Sequence, residues 1–239
     1  MRKLLPILTL AAICSGCGST GSSEQSTDAE EVDCEVVSQA PQAEVEPVIF
    51  ESSPIPDDVF GKMQGKSFKA GCTVPREDLR YLRVSHKDAD GTSHIGEMVC
   101  SASIADDLLD IFRQLYEAGY PIERMTLIDE YDAEDEASMR ANNSSCFNFR
   151  PVTGGRKVSK HGMGAAVDIN PLYNPYVRVR DDGTSHVEPA TAGAYTDRNA
   201  DFPYKITSGD LCVRLFKEHG FRWGGDWKSL KDYQHFEKQ

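Results

Sequence analysis

Residues 159–168 carry the most informative segment of the chain, Ser-Lys-His-Gly-Met-Gly-Ala-Ala-Val-Asp. The segment begins as a polar turn with two glycines and continues into a short apolar run, residues 166–169. That run predicts a strand that carries one carboxylate. His161 and Asp168 lie seven residues apart around Gly164. Taken alone, a His and an Asp at this spacing are usually just polar residues of a loop. A metal or catalytic site would need a further group from elsewhere in the chain.

A second segment supplies that group. Residues 223–237 read Trp-Gly-Gly-Asp-Trp-Lys-Ser-Leu-Lys-Asp-Tyr-Gln-His-Phe-Glu. His235 completes a set of two imidazoles and one carboxylate, which suits a catalytic zinc ion and leaves a fourth position for water. Asp232, three residues earlier, can lie beside the metal as a general base without binding it. The alternative is a plain glycine turn flanked by core tryptophans.

Together the two segments resemble the signature of the zinc D-alanyl-D-alanine carboxypeptidase superfamily of bacterial cell-wall peptidases. That signature is Ser-x-His-x-x-Gly-x-Ala-x-Asp, followed by acid-x-x-His-Phe. The second segment is most similar to the L-alanyl-D-glutamate endopeptidases of phage endolysins and bacterial cell-wall hydrolases. The likeness covers residues 138–239 directly and residues 70–137 more weakly. It implies that one Zn²⁺ per chain is bound by three ligands, which are His161, Asp168 and His235.

The resemblance also implies catalytic roles and a substrate. Asp232 is the expected general base, and the expected substrate is the stem peptide of peptidoglycan. Relatives usually carry Gly-Tyr-Arg-Ser ahead of the histidine motif, and that Arg steadies the carbonyl oxygen of the scissile bond. Here the nearest counterpart, residues 130–132, is Glu-Tyr-Asp. We expect Arg150 to supply the cation, with Arg140 as the alternative; either can instead be a surface residue or a carboxylate partner.

Three functions follow from this pattern. The leading hypothesis is a zinc metallopeptidase that hydrolyses peptidoglycan stem peptides at the L-Ala-D-Glu bond. The second is a D-Ala-D-Ala carboxypeptidase. The third is a non-catalytic, zinc-containing cell-wall binding module, as the structurally related Hedgehog signalling domain is usually described. Retention of Asp232 argues against the third, because a purely structural metal does not need a base.

The periodicity of the remaining chain predicts an α+β fold. Residues 80–86 and 93–99 alternate as a β-hairpin does. Apolar residues at helical spacing predict one helix from Ser103 and a second over residues 207–219, N-capped by its first or second residue. Residues 125–129 are typical of a strand. The order predicts a small antiparallel sheet with flanking helices, and the resemblance implies a Hedgehog/D-Ala-D-Ala-peptidase-like zinc fold.

The N-terminus has the pattern of an exported lipoprotein. Residues 1–16 combine two basic residues with a short apolar run, which predicts a signal peptide. The small residues before Cys17 resemble a lipobox, so we expect lipidation of Cys17 and attachment to the membrane through this anchor. The expected location is the cell envelope, on the outer membrane facing the periplasm in a Gram-negative cell. The alternative is an ordinary secretory signal. Residues 17–61 predict an acidic disordered tether, and residues 62–239 the zinc peptidase domain.

The charge of the chain limits the possible partners, and its cysteines suggest a disulfide. The 239 residues include 26 Lys+Arg and 38 Asp+Glu, for a net charge of −12. No basic patch is evident in the sequence, which argues against nucleic acid as a partner. Export permits disulfides, and Cys72 and Cys100, which flank the predicted hairpin, are the expected pair.

Overall fold

The computed structural model describes residues 47–152, 155 and 157–239. The helices are α1 (Asp57–Met63), α2 (Ala105–Glu117), α3 (Asp135–Arg140) and α4 (Leu211–Glu218). The strands are β1 (Phe50–Ser53), β2 (Leu79–Lys87), β3 (Ser93–Ser101), β4 (Ala166–Asp168), β5 (Tyr176–Val179), β6 (Ser185–Glu188), β7 (Phe221–Trp223), β8 (Lys231–Asp232) and β9 (His235–Lys238). They form three antiparallel sheets of three strands each, with orders β1-β2-β3, β4-β9-β7 and β6-β5-β8.

The first sheet contains the predicted hairpin, which is confirmed. β2 and β3 pair with His86 opposite His94, and Gly91 takes the positive φ of 79° that the turn requires. The helix expected from Ser103 is also confirmed as α2, which covers the sheet with its apolar face. The buried residues of that face are Leu108, Ile111, Phe112 and Leu115.

The second and third sheets bring together residues 159–168 and 223–237, the two segments that carry the predicted ligands. β4 pairs with β9 so that Asp168 lies opposite His235. Helix α4 packs against β7, and the rings of Phe216 and Phe236 stack with centroids 4.2 Å apart. In the third sheet Tyr176 of β5 lies opposite Asp232 of β8. The predicted α+β class with small antiparallel sheets is therefore confirmed, although the strands divide among three sheets.

Two predicted elements differ from the structure. Residues 125–129 do not form a strand, because the backbone N–H of Thr126 donates to Oδ1 of Asn143, a side chain, at 2.8 Å. Helix α4 begins at Leu211, four residues later than residue 207. Asp210 is its N-cap, since the Asp210 carboxylate accepts from the backbone N–H of Cys212 at 2.8 Å.

The folded part begins earlier than expected. β1 pairs with β2, and the side chains of Ile55 and Val59 are buried at 3% and 6% exposure. The predicted boundary between tether and domain at Lys62 is therefore wrong. Residues 17–61 are acidic overall, and that composition hides the few apolar residues that pack into the fold. Residues 1–46, with the expected signal peptide and Cys17, lie outside the described residues.

The expected disulfide is also wrong. Cys72 and Cys100 are both free thiols. Cys100 is fully buried in the core under α2, whereas Cys72 is half-buried and packs with Ile55 and Val59 in a separate apolar cluster. The two side chains thus pack in different apolar clusters and do not form a disulfide. In the part of the chain that the structure describes, no helix has the length and apolar character needed to cross a bilayer.

Candidate metal centre and cavity

The three predicted ligands converge on one point. Nε2 of His161 lies 3.2 Å from Oδ2 of Asp168 and 3.1 Å from Nδ1 of His235. Nδ1 of His235 lies 3.0 Å from Oδ1 of Asp168. All three side chains are at least 85% buried, since their exposed fractions are 8%, 15% and 9%. Three residues that span 74 positions of sequence therefore present one donor atom each to a common centre.

Local backbone chemistry positions the first two ligands. The Ser159 hydroxyl accepts a hydrogen bond from the backbone N–H of Gly162 at 2.9 Å, and this starts the short 3-10 turn that carries His161. Gly164 ends the turn with a φ of +65°, and a Cβ there would lie 2.6 Å from the backbone nitrogen of Ser101. The chain then enters β4, which delivers Asp168 opposite His235. Glycine at position 164 is thus required both by conformation and by space.

The donor set fits zinc. Tetrahedral zinc with bonds of about 2.0–2.2 Å holds its ligand atoms about 3.3–3.6 Å apart, which is close to the observed spacing. His161 directs Nδ1 to the carbonyl oxygen of Cys146 at 2.7 Å, so Nε2 is left with its lone pair toward the centre. On the far side of His235, Nε2 lies 3.6 Å from Oε2 of Glu237. The outer nitrogen of His161 therefore has a carbonyl acceptor, as zinc-binding histidines do. The outer nitrogen of His235 faces the Glu237 carboxylate at a distance longer than a direct hydrogen bond.

The electrostatics of the centre favour a charged carboxylate. Burial raises the pKa of Asp168, but the charges and hydrogen bonds of His161 and His235 outweigh burial and hold that pKa well below its usual range. For His235, burial lowers the pKa of the imidazole. The hydrogen bond to Asp168 outweighs burial, and the pKa of His235 rises to about 10. A carboxylate that attracts positive charge so strongly is suited to a cation between the imidazoles.

Asp232 lies beside the ligand cluster without belonging to it. Burial raises the pKa of its carboxyl to about 7. Its Oδ1 is buried and has no hydrogen-bond partner among the residues that the structure describes. The backbone at Gly224 packs so closely that a Cβ there would lie 2.5 Å from the carbonyl oxygen of Asp232. An unpartnered acid with a pKa near neutrality, next to a metal ligand, has the properties of a general base.

The centre opens into a cavity of about 940 Å³. Its wall includes acidic, basic and aromatic side chains, among them Asp135, Glu136, Arg150, Lys160, Tyr176, Arg178, His186, Glu188, Trp227 and Asp232. The volume is that of a small-molecule or peptide site. The mixture of charges suits a substrate that carries both peptide groups and ionised groups.

The two candidate arginines lie in different places. Arg150 lines the cavity and forms an ion pair with Asp135. Arg140 is exposed at the end of α3 and is not part of the cavity wall formed by the described residues. Arg150 therefore lies in the cavity wall, where the expected cation role requires it, and that role stays a prediction.

Several residues of the site were missed in the sequence. Trp227 packs on His235 with ring centroids 5.4 Å apart, and Glu237 faces the outer nitrogen of the same ligand. The β5-β6 hairpin forms another part of the wall. A signal for the hairpin was available, because the Asp182-Gly183 pair separates two short stretches that contain β-branched residues.

Comparison with known proteins supports this reading of the site. Residues 153–238 match the family model described as D-alanyl-D-alanine carboxypeptidase. The matched segment contains the three candidate ligands and Asp232, whereas Arg150 lies outside it. No solved structure matches the chain significantly. About a third of the chain, residues 153–238, is therefore similar to the D-alanyl-D-alanine carboxypeptidase family, and the match supports the wider superfamily of cell-wall peptidases.

Proposed function

We propose that this chain is a zinc-dependent peptidase that hydrolyses the stem peptides of peptidoglycan, at the bond between L-Ala and D-Glu. The observation that carries the proposal is the convergence of His161, Asp168 and His235 within the segment that matches a cell-wall peptidase family. The adjoining cavity has room for several residues of a peptide. The likeness of residues 223–237 to the L-alanyl-D-glutamate endopeptidases supports the choice of bond. We place the domain in the Hedgehog/D-Ala-D-Ala-peptidase-like fold on the same likeness.

The residues of the site have separate roles in the proposed hydrolysis. His161, Asp168 and His235 would hold the zinc ion, which supplies Lewis-acid polarisation of water and of the scissile carbonyl when bound. Asp232 takes a proton from the attacking water and returns it to the leaving amine. Arg150, held at the cavity wall by Asp135, steadies the negative charge that develops on the carbonyl oxygen.

One other activity has an observation in its favour. The matching family model carries the description of a D-Ala-D-Ala carboxypeptidase, which would remove the terminal residue of the stem peptide. The third hypothesis, a binding module, leaves Asp232 unexplained. A buried carboxyl without a partner costs free energy of folding, and an acid retained at such a cost is typical of a catalytic site.

Digestion of purified peptidoglycan tests the proposal. The zinc-loaded full chain is expected to release stem peptides that begin with D-Glu, which mass spectrometry of the soluble products would show. Loss of only the terminal D-Ala would instead support the carboxypeptidase. Unchanged stem peptides across several wall chemistries would contradict both activities.

A pair of histidine variants links activity to metal. His235→Ala should lose zinc and activity together. The matched control is His94→Ala, because His94 is half-exposed on the hairpin, pairs with Asp88 and is not among the residues that line the cavity. Full zinc content in His235→Ala would remove His235 from the site.

We also propose that the chain is a lipoprotein anchored to the cell envelope through Cys17. The support is the sequence of residues 1–17. Labelling with a fatty-acid probe should be lost in Cys17→Ala and retained in Cys72→Ala. Undiminished labelling of Cys17→Ala would refute the anchor.

A further inference from the structure

Four side chains on one face of the β5-β6 hairpin line the catalytic cavity. Tyr176 lies opposite Glu188 and Arg178 opposite His186, so these four side chains share one face of the two-stranded ribbon. All four line the cavity. The hairpin is also tied to the catalytic residues, because Tyr176 is paired with Asp232 of β8. The ribbon therefore extends the wall of the active site away from the candidate base in a fixed register.

We propose that Arg178 is a specificity-determining residue that binds a substrate carboxylate next to the scissile bond. This inference rests on the proposed peptidase function. Arg178 stands two strand positions beyond Tyr176, which corresponds to about 6.6–6.8 Å along the strand. An extended peptide advances about 3.3–3.6 Å per residue. A substrate residue within about two positions of the scissile bond is thus within the range of the Arg178 guanidinium.

The charge of Arg178 is available to a ligand. In the described part of the chain, no carboxylate lies within ion-pair distance of its guanidinium. The other cations of the wall differ, because Arg150 is paired with Asp135 and Lys160 donates to the carbonyl oxygen of Lys238 at 2.7 Å. Arg180 also lines the cavity, but it lies two positions farther out, next to the turn of the hairpin.

The neighbours of Arg178 support the same role. Burial raises the pKa of the Tyr176 hydroxyl, and the nearby guanidinium of Arg178 opposes that rise, so the two side chains lie together on the ribbon. His186, opposite Arg178, is occupied by Glu188 at 2.8 Å. The phenol and the guanidinium are hydrogen-bond donors, and together they can hold the two oxygens of a carboxylate.

The charge distribution orients an acidic substrate. Asp168, Asp232 and Glu188 lie at the inner part of the cavity and repel a carboxylate. Arg178 lies beyond them and attracts it. If the L-Ala-D-Glu bond is cut, the carboxylate next to the scissile bond is the α-carboxylate of the γ-linked D-Glu residue; if the terminal residue is removed, it is the C-terminal carboxylate of D-Ala. Both would make the same bidentate contact with a guanidinium.

Matched pairs of substrates separate these sources. The first pair has D-Glu or its α-amide, D-isoglutamine, at position two, and the second has a free or an amidated C-terminal D-Ala. Wild type is expected to prefer the acid of one pair by about 10- to 100-fold in kcat/KM, as a charge-assisted hydrogen bond predicts. The pair that shows the preference identifies the carboxylate.

Variants then assign the preference to Arg178. Arg178→Gln should abolish the preference and Arg178→Lys should keep part of it, with zinc content and unfolding temperature unchanged. The control is Arg214→Gln, which removes an exposed arginine of α4 that pairs with Glu218. A preference that persists in Arg178→Gln, or equal cleavage of acid and amide by wild type, would overturn the proposal while the peptidase function stands.

Binding separates failure of this inference from failure of the function. The Asp232→Asn protein, loaded with zinc, can be titrated calorimetrically with the same uncut peptides. If wild type cleaves no stem peptide, the proposed function is wrong, and the assignment of Arg178 is then decided by binding alone. Tighter binding of the acid that disappears when Arg178→Gln is added supports the assignment; equal binding of acid and amide overturns it.

Discussion

Replacement of Asp232 by Asn is the most informative change of a single catalytic group. Asn has the size of Asp but cannot accept a proton from water. Oδ1 of Asp232 has no partner among the described residues, so the substitution breaks no hydrogen bond of that atom within the described fold. Asp232 also lies outside the three-ligand cluster. The change therefore removes basicity at one point and leaves both the metal centre and the fold in place.

The structure sets the expected magnitudes. A positioned general base contributes about 10²–10⁴-fold to the rate, which corresponds to about 2.7–5.4 kcal/mol of transition-state free energy. Because no hydrogen bond of Oδ1 is lost, the free energy of unfolding should not fall by more than about 1 kcal/mol, which would be about 2–4 °C in Tm. Zinc content should stay near one ion per chain, as a three-ligand site predicts.

Three measurements on one protein preparation check these values. They are initial rates on a defined stem peptide, zinc content by mass spectrometry, and Tm by calorimetry. Wild-type turnover in Asp232→Asn would refute the assignment of the base. Loss of zinc would show that Asp232 is a ligand or orients one. A large fall in Tm would show that the carboxylate has a structural partner.

Three further changes have defined outcomes. Gly224→Ala should lower turnover by about 10²-fold with zinc retained, because the added Cβ would lie 2.5 Å from the carbonyl oxygen of Asp232 and displace that residue. The control is Gly61→Ala, where nothing lies within 4 Å of the added Cβ and the kinetics should not change. Equal effects of the two substitutions would contradict this reasoning. Chelation of zinc should lower Tm, because an ion present at about 1,000 times its Kd adds about 4.1 kcal/mol to the free energy of unfolding. Added zinc should restore Tm in wild type but not in His235→Ala. Recovery of Tm in both proteins would place the ion elsewhere. Asp107 pairs with Lys238 at 2.7 Å and with His219 at 3.0 Å, and although burial raises its pKa, these partners lower it overall. The stabilisation is thus present above the unfolded pKa of about 3.9 and is lost as pH falls through the lower folded pKa. Asp107→Asn should therefore lower the unfolding free energy by up to about 1 kcal/mol at pH 7, and the difference from wild type should shrink as the pH is lowered below about 3.9. A difference that does not change with pH would exclude the ion pairs as its cause.

The residues of the metal centre were predictable because two separated segments together resemble the signature of a known family, and the first of them also has local signals. Gly164 marks a turn of positive φ, and the apolar residues after it mark β4. The carboxylate of Asp168 at the end of that strand is visible in the sequence. What sequence could not give is the register that sets Asp168 opposite His235. That register depends on pairing across 67 positions of the chain.

The third sheet and the cysteines show why the rest was not predictable. β8 has two residues, too few for any period to be read. Arg178 and Val179 of β5 are both exposed, so the strand lacks the alternation of a half-buried strand. Cys72 and Cys100 were paired by their positions beside the hairpin. Their side chains face different cores, and this depends on the packing of α1 and α2, which spacing does not report.

The proposed peptidase function depends on one zinc ion held by His161, Asp168 and His235. Anomalous diffraction at the zinc edge from crystals of the zinc-loaded chain tests this most directly. The expected result is a single peak about 2.0–2.2 Å from Nε2 of His161, a carboxylate oxygen of Asp168 and Nδ1 of His235. A zinc peak elsewhere, or none at this centre in zinc-saturated crystals, would contradict it.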